Sequence, residues 1–274
     1  MQEITYKSCS IILAPNPSVM TGPGTNTIVL GGGIEGATVV DPAVDQREYL
    51  ETVIHAGAAR GCIRRILITH GHADHIGGAL ALREMLGVHI YAASRRGLPF
   101  ADCELPDGML IPAGDECLRV IATPGHRFDH LSFLLEESRT LIAGDLLAGT
   151  GTVVIIPPEG NLQEYLASLH RLQQLDLNEI IPAHGPIIKD PQQRLADYIA
   201  HRLEREQQIL TTLQQVAATI EPGMTIPAIV QQIYHDIDPQ LHMMAGKSVL
   251  AHLLKLEGEG RVKCHEHERW SLLP

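Results

Sequence analysis

The 274-residue chain predicts an α/β sandwich built on a mixed sheet, followed by a small helical unit that ends in a β-wing. Two observations carry that prediction. Strand-like runs alternate with helix-like segments over roughly the first two-thirds of the chain, which places residues 1–190 in one domain. After about Pro186 the order becomes helix, helix, helix and a short β-like tail, the order of a winged-helix-like unit, so residues 191–274 form a helical linker and a second domain.

Along the chain, 27–30 and 37–40 read as strands around the turn Gly31-Gly32-Gly33. The segment 46–60 has helical periodicity, with Leu50, Val53 and Ile54 on one face and Gly61 as its stop. A strand at 63–69 delivers a histidine-rich loop, and a short helix at 78–86 precedes a strand at 88–92. From 109 to 154 the chain reads mostly as strands and tight turns, most clearly at 118–122, 131–135 and 140–143. An amphipathic helix at 161–175 takes Asn161 as N-cap, and a short strand at 179–182 runs into His184-Gly185. The second domain holds a long polar helix at 192–216, helices at 226–237 and 245–256, a turn at 257–260 and the tail 261–273.

Composition narrows the class. Hydrophobic residues make up 45% of the chain, enough for a full core, while aromatics at 4% leave that core to Leu, Ile, Val and Ala. A net charge of −11 argues against a dedicated nucleic-acid binder without excluding a nucleic-acid substrate, because bound cations supply local attraction. Five widely spaced cysteines without a CxxC read as reduced thiols. No apolar run spans a bilayer, and Met1-Gln2-Glu3-Ile4-Thr5-Tyr6-Lys7 lacks a leader pattern, so a soluble cytoplasmic protein is expected. No feature argues for a homo-oligomer or a partner protein.

The chemistry concentrates in Thr69-His70-Gly71-His72-Ala73-Asp74-His75. His70 and His72 alternate to one side of the chain and reach one ion, while Asp74 and His75 face a second. Imidazole nitrogens with carboxylate oxygens suit zinc, and Mn2+ or Fe2+ fit the same donors. Three further segments put a ligand beside a glycine after a strand: Thr123-Pro124-Gly125-His126, Ala143-Gly144-Asp145 and Pro182-Ala183-His184-Gly185.

These motifs resemble the metallo-β-lactamase superfamily, whose signature is HxHxDH followed by a distant His, Asp and His; the likeness runs from about Asn16 to Ile188. The resemblance implies an αββα sandwich with two Zn2+ ions at one edge. It places the first ion on His70, His72 and His126 and the second on Asp74, His75 and His184, with Asp145 bridging both. It makes Asp41 a buried brace of the metal loop and sets Asn26 and Thr27 in a loop near the substrate. The implied reaction is hydrolysis by a hydroxide between the ions, oriented and deprotonated by Asp74 or Asp145. His130 is expected to donate to the substrate or leaving group, with a partner buried under the site as the alternative.

Within the superfamily, an aspartate at 145 argues against antibiotic hydrolysis, since the zinc β-lactamases carry Cys or Ser there. Only 38 residues lie between Asp145 and His184, too few for the extra domain of the RNA-processing β-CASP branch. Asn16-Pro17-Ser18-Val19-Met20-Thr21, Asp129-His130 and the tail Ser248-Val249-Leu250-Ala251-His252-Leu253 resemble the beta-lactamase-like protein 2 subgroup over nearly the whole chain. That likeness implies an endoribonuclease acting on single-stranded RNA. The alternatives are a thioester or ester hydrolase of the glyoxalase II kind, favoured by the acidic charge, and a non-enzymatic winged-helix binding protein. The second domain is near neutral, with nine Lys and Arg after residue 185 against eleven Asp and Glu, which suits a packing module better than a nucleic-acid grip.

Overall fold

The structure, a computed structural model, describes residues 3–5, 9–216, 223–236 and 238–273. Its first sheet takes seven strands in chain order: β1 (Glu3–Thr5), β2 (Cys9–Leu13), β3 (Asn26–Gly31), β4 (Ala37–Val40), β5 (Ile63–Leu67), β6 (His89–Ala92) and β7 (Cys103–Glu104). Pairing is antiparallel from β1 to β4 and parallel from β4 to β7, so the sheet is mixed as expected. The helix α1 (Arg47–Ala58) crosses from β4 to β5; the single turn α2 (Ala73–Ile76) and α3 (Ala79–Leu86) cross from β5 to β6.

The second sheet has the order β12-β11-β10-β9-β8. It comprises β8 (Leu110–Ala113), β9 (Glu116–Ala122), β10 (Leu131–Leu135), β11 (Thr140–Gly144) and β12 (Glu179–Pro182), with α4 (Leu162–Gln173) joining the parallel pair β11 and β12. Asn161 caps α4, its Oδ1 accepting from the N–H groups of Gln163 at 2.9 Å and Glu164 at 3.1 Å, a contact worth about 1 kcal/mol.

Apolar residues run through successive strand positions because both faces are covered. In β3, Val29 packs outward under α1 while Ile28 and Leu30 point into the space between the sheets. In β11, Ile142 points between the sheets while Leu141 and Ala143 pack under α4. The result is an αββα sandwich. Beyond it lie α5 (Pro191–Gln215), β13 (Met224–Thr225), α6 (Ile226–Ile233), α7 (His242–Gly258), β14 (Val262–His265) and β15 (Arg269–Leu272), the last two forming the wing beside β13. No described helix is long and apolar enough to cross a membrane.

Three differences from the sequence reading have local causes. The sheet-and-turn region ends at Gly144 rather than 154, because Gly144 turns at φ 54° and releases residues 145–160 from the sheet as an irregular strap. The edge strands β1, β7 and β13, two or three residues each, are too short to show alternation, and β2, Cys9–Leu13, is a five-residue buried strand that carries Ser10 among its apolar residues and pairs fully with β3. The helix expected to end at 237 stops at Ile233, and Ile237 lies outside the described residues, as do Met1, Gln2, Tyr6 and Lys7 of the leader reading.

Candidate metal centre

Strand direction gathers the chemistry on one edge. β4 and β5 are parallel, so the loops after them, carrying Asp41 and 68–75, emerge side by side. β9 runs antiparallel to β10, which runs antiparallel to β11, and β12 is parallel to β11; the ends bearing His126, Asp145 and His184 therefore share one side. The sheets meet there through Leu131 N–H donating to Thr69 O at 2.8 Å and a bridge between Thr25 and His184.

All seven histidine and aspartate residues named from the motif fall into two groups, His70, His72, His126 and Asp145, and Asp74, His75, His184 and Asp145. Within each group the facing donor atoms lie within 4.8 Å of one another. In the first, His72 Nδ1 stands 2.8 Å from His70 Nε2 and 3.1 Å from His126 Nε2, and Asp145 Oδ2 lies 3.6 Å from His126 Nε2. In the second, His184 Nε2 is 3.3 Å from Asp74 Oδ2 and 3.2 Å from Asp145 Oδ1, with His75 Nε2 3.5 Å from that same oxygen. Asp145 thus offers one oxygen to each group.

The donor set fits divalent metal ions. Three imidazoles with a carboxylate, and two imidazoles with two carboxylates, match zinc chemistry, and donors about 2.0–2.2 Å from an ion fit within groups of this size. His75 Nε2 and Asp145 Oδ1 are buried yet make no hydrogen bond, an uncommon condition for buried polar atoms unless a ligand completes them. Burial, together with neighbouring histidines, pushes His70 well below the usual imidazole range, and burial takes His126 down to about 4, so both rings are neutral and present lone pairs. In the second group burial acts against charge, but Asp145 and Asp41 raise His75, and Asp145 with Asp74 raises His184 to about 9. Burial would raise the Asp145 carboxyl too, yet His75 and His184 hold it well below its ordinary value.

Outer contacts fix each ring. Asp41 accepts Thr69 N–H at 2.8 Å and Thr69 Oγ1–H at 2.6 Å, and its Oδ2 lies 2.7 Å from His75 Nδ1. That carboxylate sets the proton on Nδ1 and aims Nε2 at the group. His126 Nδ1 donates to Val154 O at 3.1 Å with the same effect. Gly71 admits no side chain: a Cβ there would stand 1.9 Å from Arg127 Nη1 and 2.6 Å from Gly97 O.

Three expectations need correction. His130 is buried, accepts Asp145 N–H on Nε2 at 3.0 Å and bonds Thr123 Oγ1 through Nδ1, so neither nitrogen is open to a substrate; it sets the backbone at Asp145. Asn26 turns inward and donates to Pro182 O and Gly185 O, both at 2.9 Å, bracing the His184 loop. Thr27 is wholly buried and bonds Asp41 O and Tyr49 Oη, so neither residue forms a substrate loop.

Asp129, part of the subgroup resemblance, had no role expected of it, and neither Arg127 nor Glu159 was expected at the site. Arg127 pairs with Asp129 at 3.2 Å and Glu159 at 3.4 Å, while Asp129 accepts the N–H of Gly71. A cavity of about 250 Å³ opens beside the first group, lined by His72, His126, Val154, Ile156, Pro157, Pro158 and Glu159. The Pro157-Pro158 pair was the available signal for a rigid wall.

Comparison with known proteins gives the family and the fold. Residues 20–184 match the model of the metallo-beta-lactamase superfamily, and residues 225–270 match that of the beta-lactamase associated winged helix domain. A beta-lactamase-like protein 2 homolog of Caenorhabditis elegans is 31% identical, covering 92% of this chain and 85% of the relative. An atrochrysone carboxyl ACP thioesterase of Pseudocercospora fijiensis is 30% identical, covering 92% of this chain and 75% of its own length. Among solved structures, a metallo-beta-lactamase family protein of Thermus thermophilus superposes with a TM-score of 0.79 at 23% identity, covering 98% and 99% of the two chains. With two donor groups on one edge of an αββα sandwich and a family match over residues 20–184, the chain belongs to the metallo-beta-lactamase superfamily.

Proposed function

We propose that this chain is a two-metal hydrolase of thioester or ester substrates. In this reading His70, His72 and His126 hold one ion, Asp74, His75 and His184 hold the other, and Asp145 serves both through its two oxygens. Zinc is the expected metal, with Mn2+ or Fe2+ compatible with the donors. The bound metals supply a lowered water pKa and polarisation of a carbonyl oxygen. Asp74, with 30% of its side chain exposed against 12% for Asp145, is the more open of the two donor carboxylates and would take the proton of the attacking water. Five free thiols support a reducing, cytoplasmic setting.

The observation that carries the substrate class is the wall of the 250 Å³ cavity. Val154, Ile156, Pro157 and Pro158 make it apolar, its one acid is Glu159, and no Lys or Arg lines it. The neighbouring Arg127 is already committed to Asp129 and Glu159. A polyanionic strand needs a cationic track, which this wall does not offer, whereas an acyl chain fits it. The likeness to a carboxyl ACP thioesterase supports the same choice. The second reading, cleavage of single-stranded RNA, rests on the whole-chain likeness to beta-lactamase-like protein 2 homologs.

Zinc-loaded protein should be offered a panel of acyl thioesters and, in parallel, a labelled single-stranded RNA, beside an Asp74→Asn variant. Thioester turnover that falls about a hundredfold or more in the variant is the expected result. RNA cutting without thioester turnover would replace the first reading by the second.

A further inference from the structure

The strap 145–160, which supplies the cavity wall, has no strand or helix to satisfy its backbone, so its carbonyls need donors from elsewhere. One stripe of α5 provides them. Arg194, Tyr198 and Arg202 are spaced four apart and therefore stack on one face of the helix. Arg194 Nη2 donates to Ala148 O at 2.8 Å and to Gly151 O at 2.9 Å. Tyr198 Oη accepts Ala148 N–H at 2.9 Å and donates to Gly151 O at 3.1 Å. Arg202 Nη2 donates to Val153 O at 2.6 Å. The next carbonyl along, Val154 O, accepts from His126 Nδ1.

Arg202 marks the contact as more than packing. It is 3% exposed and has no carboxylate within ion-pair distance among the described residues; it meets Val153 O and the face of Tyr165 at 5.3 Å, and its charge faces the neutral ring of His252. A buried guanidinium without a counter-charge is costly, and an apolar residue would fill the space more cheaply. What the guanidinium adds is a rigid donor aimed at one carbonyl, next to the carbonyl that sets the ring of His126.

We infer that Arg194, Tyr198 and Arg202 are positioning residues of the metal centre: through the strap they fix the cavity wall and the aim of His126 Nε2, making α5 the strut between the second domain and the site. The inference rests on the metal-centre reading above. A ring bonded through Nδ1 to a held carbonyl keeps its proton there and its lone pair on the donor group, and a strap released from α5 loses both constraints.

The test uses the full chain with Arg202→Met, Arg202→Lys and Tyr198→Phe. Metal-free protein is titrated with cobalt(II) and followed by its visible absorption, and amide hydrogen exchange is measured over residues 148–156. Arg202→Met should weaken one of two cobalt-binding steps by about tenfold or more, leave the other unchanged and speed exchange in the strap. Arg202→Lys should restore most of the affinity. A purely structural role would instead lower both steps together, without separating Met from Lys. If Arg202→Met does not fold, Tyr198→Phe removes a single hydroxyl from the same latch and should speed exchange at Ala148 and in the strap. Parent-like cobalt binding and exchange in the folded variants would overturn the inference. Absence of cobalt binding in the parent chain would overturn the metal-centre reading itself, whatever the substrate proves to be.

Discussion

Asp41 shows how much of a metal centre is decided one contact away from it. The residue sits in left-handed backbone, φ 52°, where the chain turns off β4. Its two oxygens meet Thr69 N–H, Thr69 Oγ1–H and His75 Nδ1. Asparagine tolerates the same backbone, so Asp41→Asn changes the chemistry and not the turn. With an amide in place of the carboxylate, one acceptor oxygen becomes a donor, and it competes with the proton that Asp41 holds on His75. The second donor group should lose affinity for zinc by about 10–100-fold while the first keeps its ion. Equilibrium dialysis followed by elemental analysis would read this as a fall from two zinc ions per chain to one; two retained ions would show that Asp41 does not orient His75.

At the scale of elements, α7 carries the clearest acid-sensitive group outside the donor groups. His252 is 1% exposed and neither ring nitrogen has a hydrogen-bond partner. Burial, with Arg202, Arg205 and His201 from α5 and Lys255 from α7 itself, pushes it down to about 3. The unfolded chain binds a proton there below about pH 6.5, and the folded chain does not until about pH 3. Its contribution to stability is therefore complete above pH 6.5 and lost as pH falls towards 3, with a limiting slope of about 1.4 kcal/mol per pH unit for one proton. His252→Leu should remove that slope, so urea midpoints of parent and variant converge or cross on acidification from about pH 7 to about pH 5. A difference independent of pH would rule His252 out as the source. The same scale explains what the sequence made legible. β3, β10 and β11 were readable because their largely apolar runs are buried on two faces, and the donor groups because four of their residues fall within six positions. The strap was not, because its course is set by side chains of α5 some forty to fifty residues onward. For His130 and Asn26, sequence order does not say that both side chains turn inward.

For the whole molecule the decisive element is again α5, because two cores share it. Leu195, Tyr198 and Ile199 in its first half pack with α4 and the outer face of the second sheet, in a cluster that also takes Ala251 from α7. Ile209 and Leu213 in its second half pack with Val249, Leu253 and Trp270 in the core of the second domain. The division proposed at 190/191 marks where the sequence changes character, while packing continues across it. Separating the two domains would require melting the middle of a 25-residue helix and exposing apolar side chains on both sides. Unfolding is then expected to be one cooperative event. Trp270, the only tryptophan, is 4% exposed and lies in β15, so its fluorescence reports the second domain alone, whereas far-UV circular dichroism reports the whole chain. Urea curves from the two probes should coincide in midpoint and slope. A fluorescence transition at distinctly lower urea would mean that the second domain melts by itself, and that α5 does not couple the two cores.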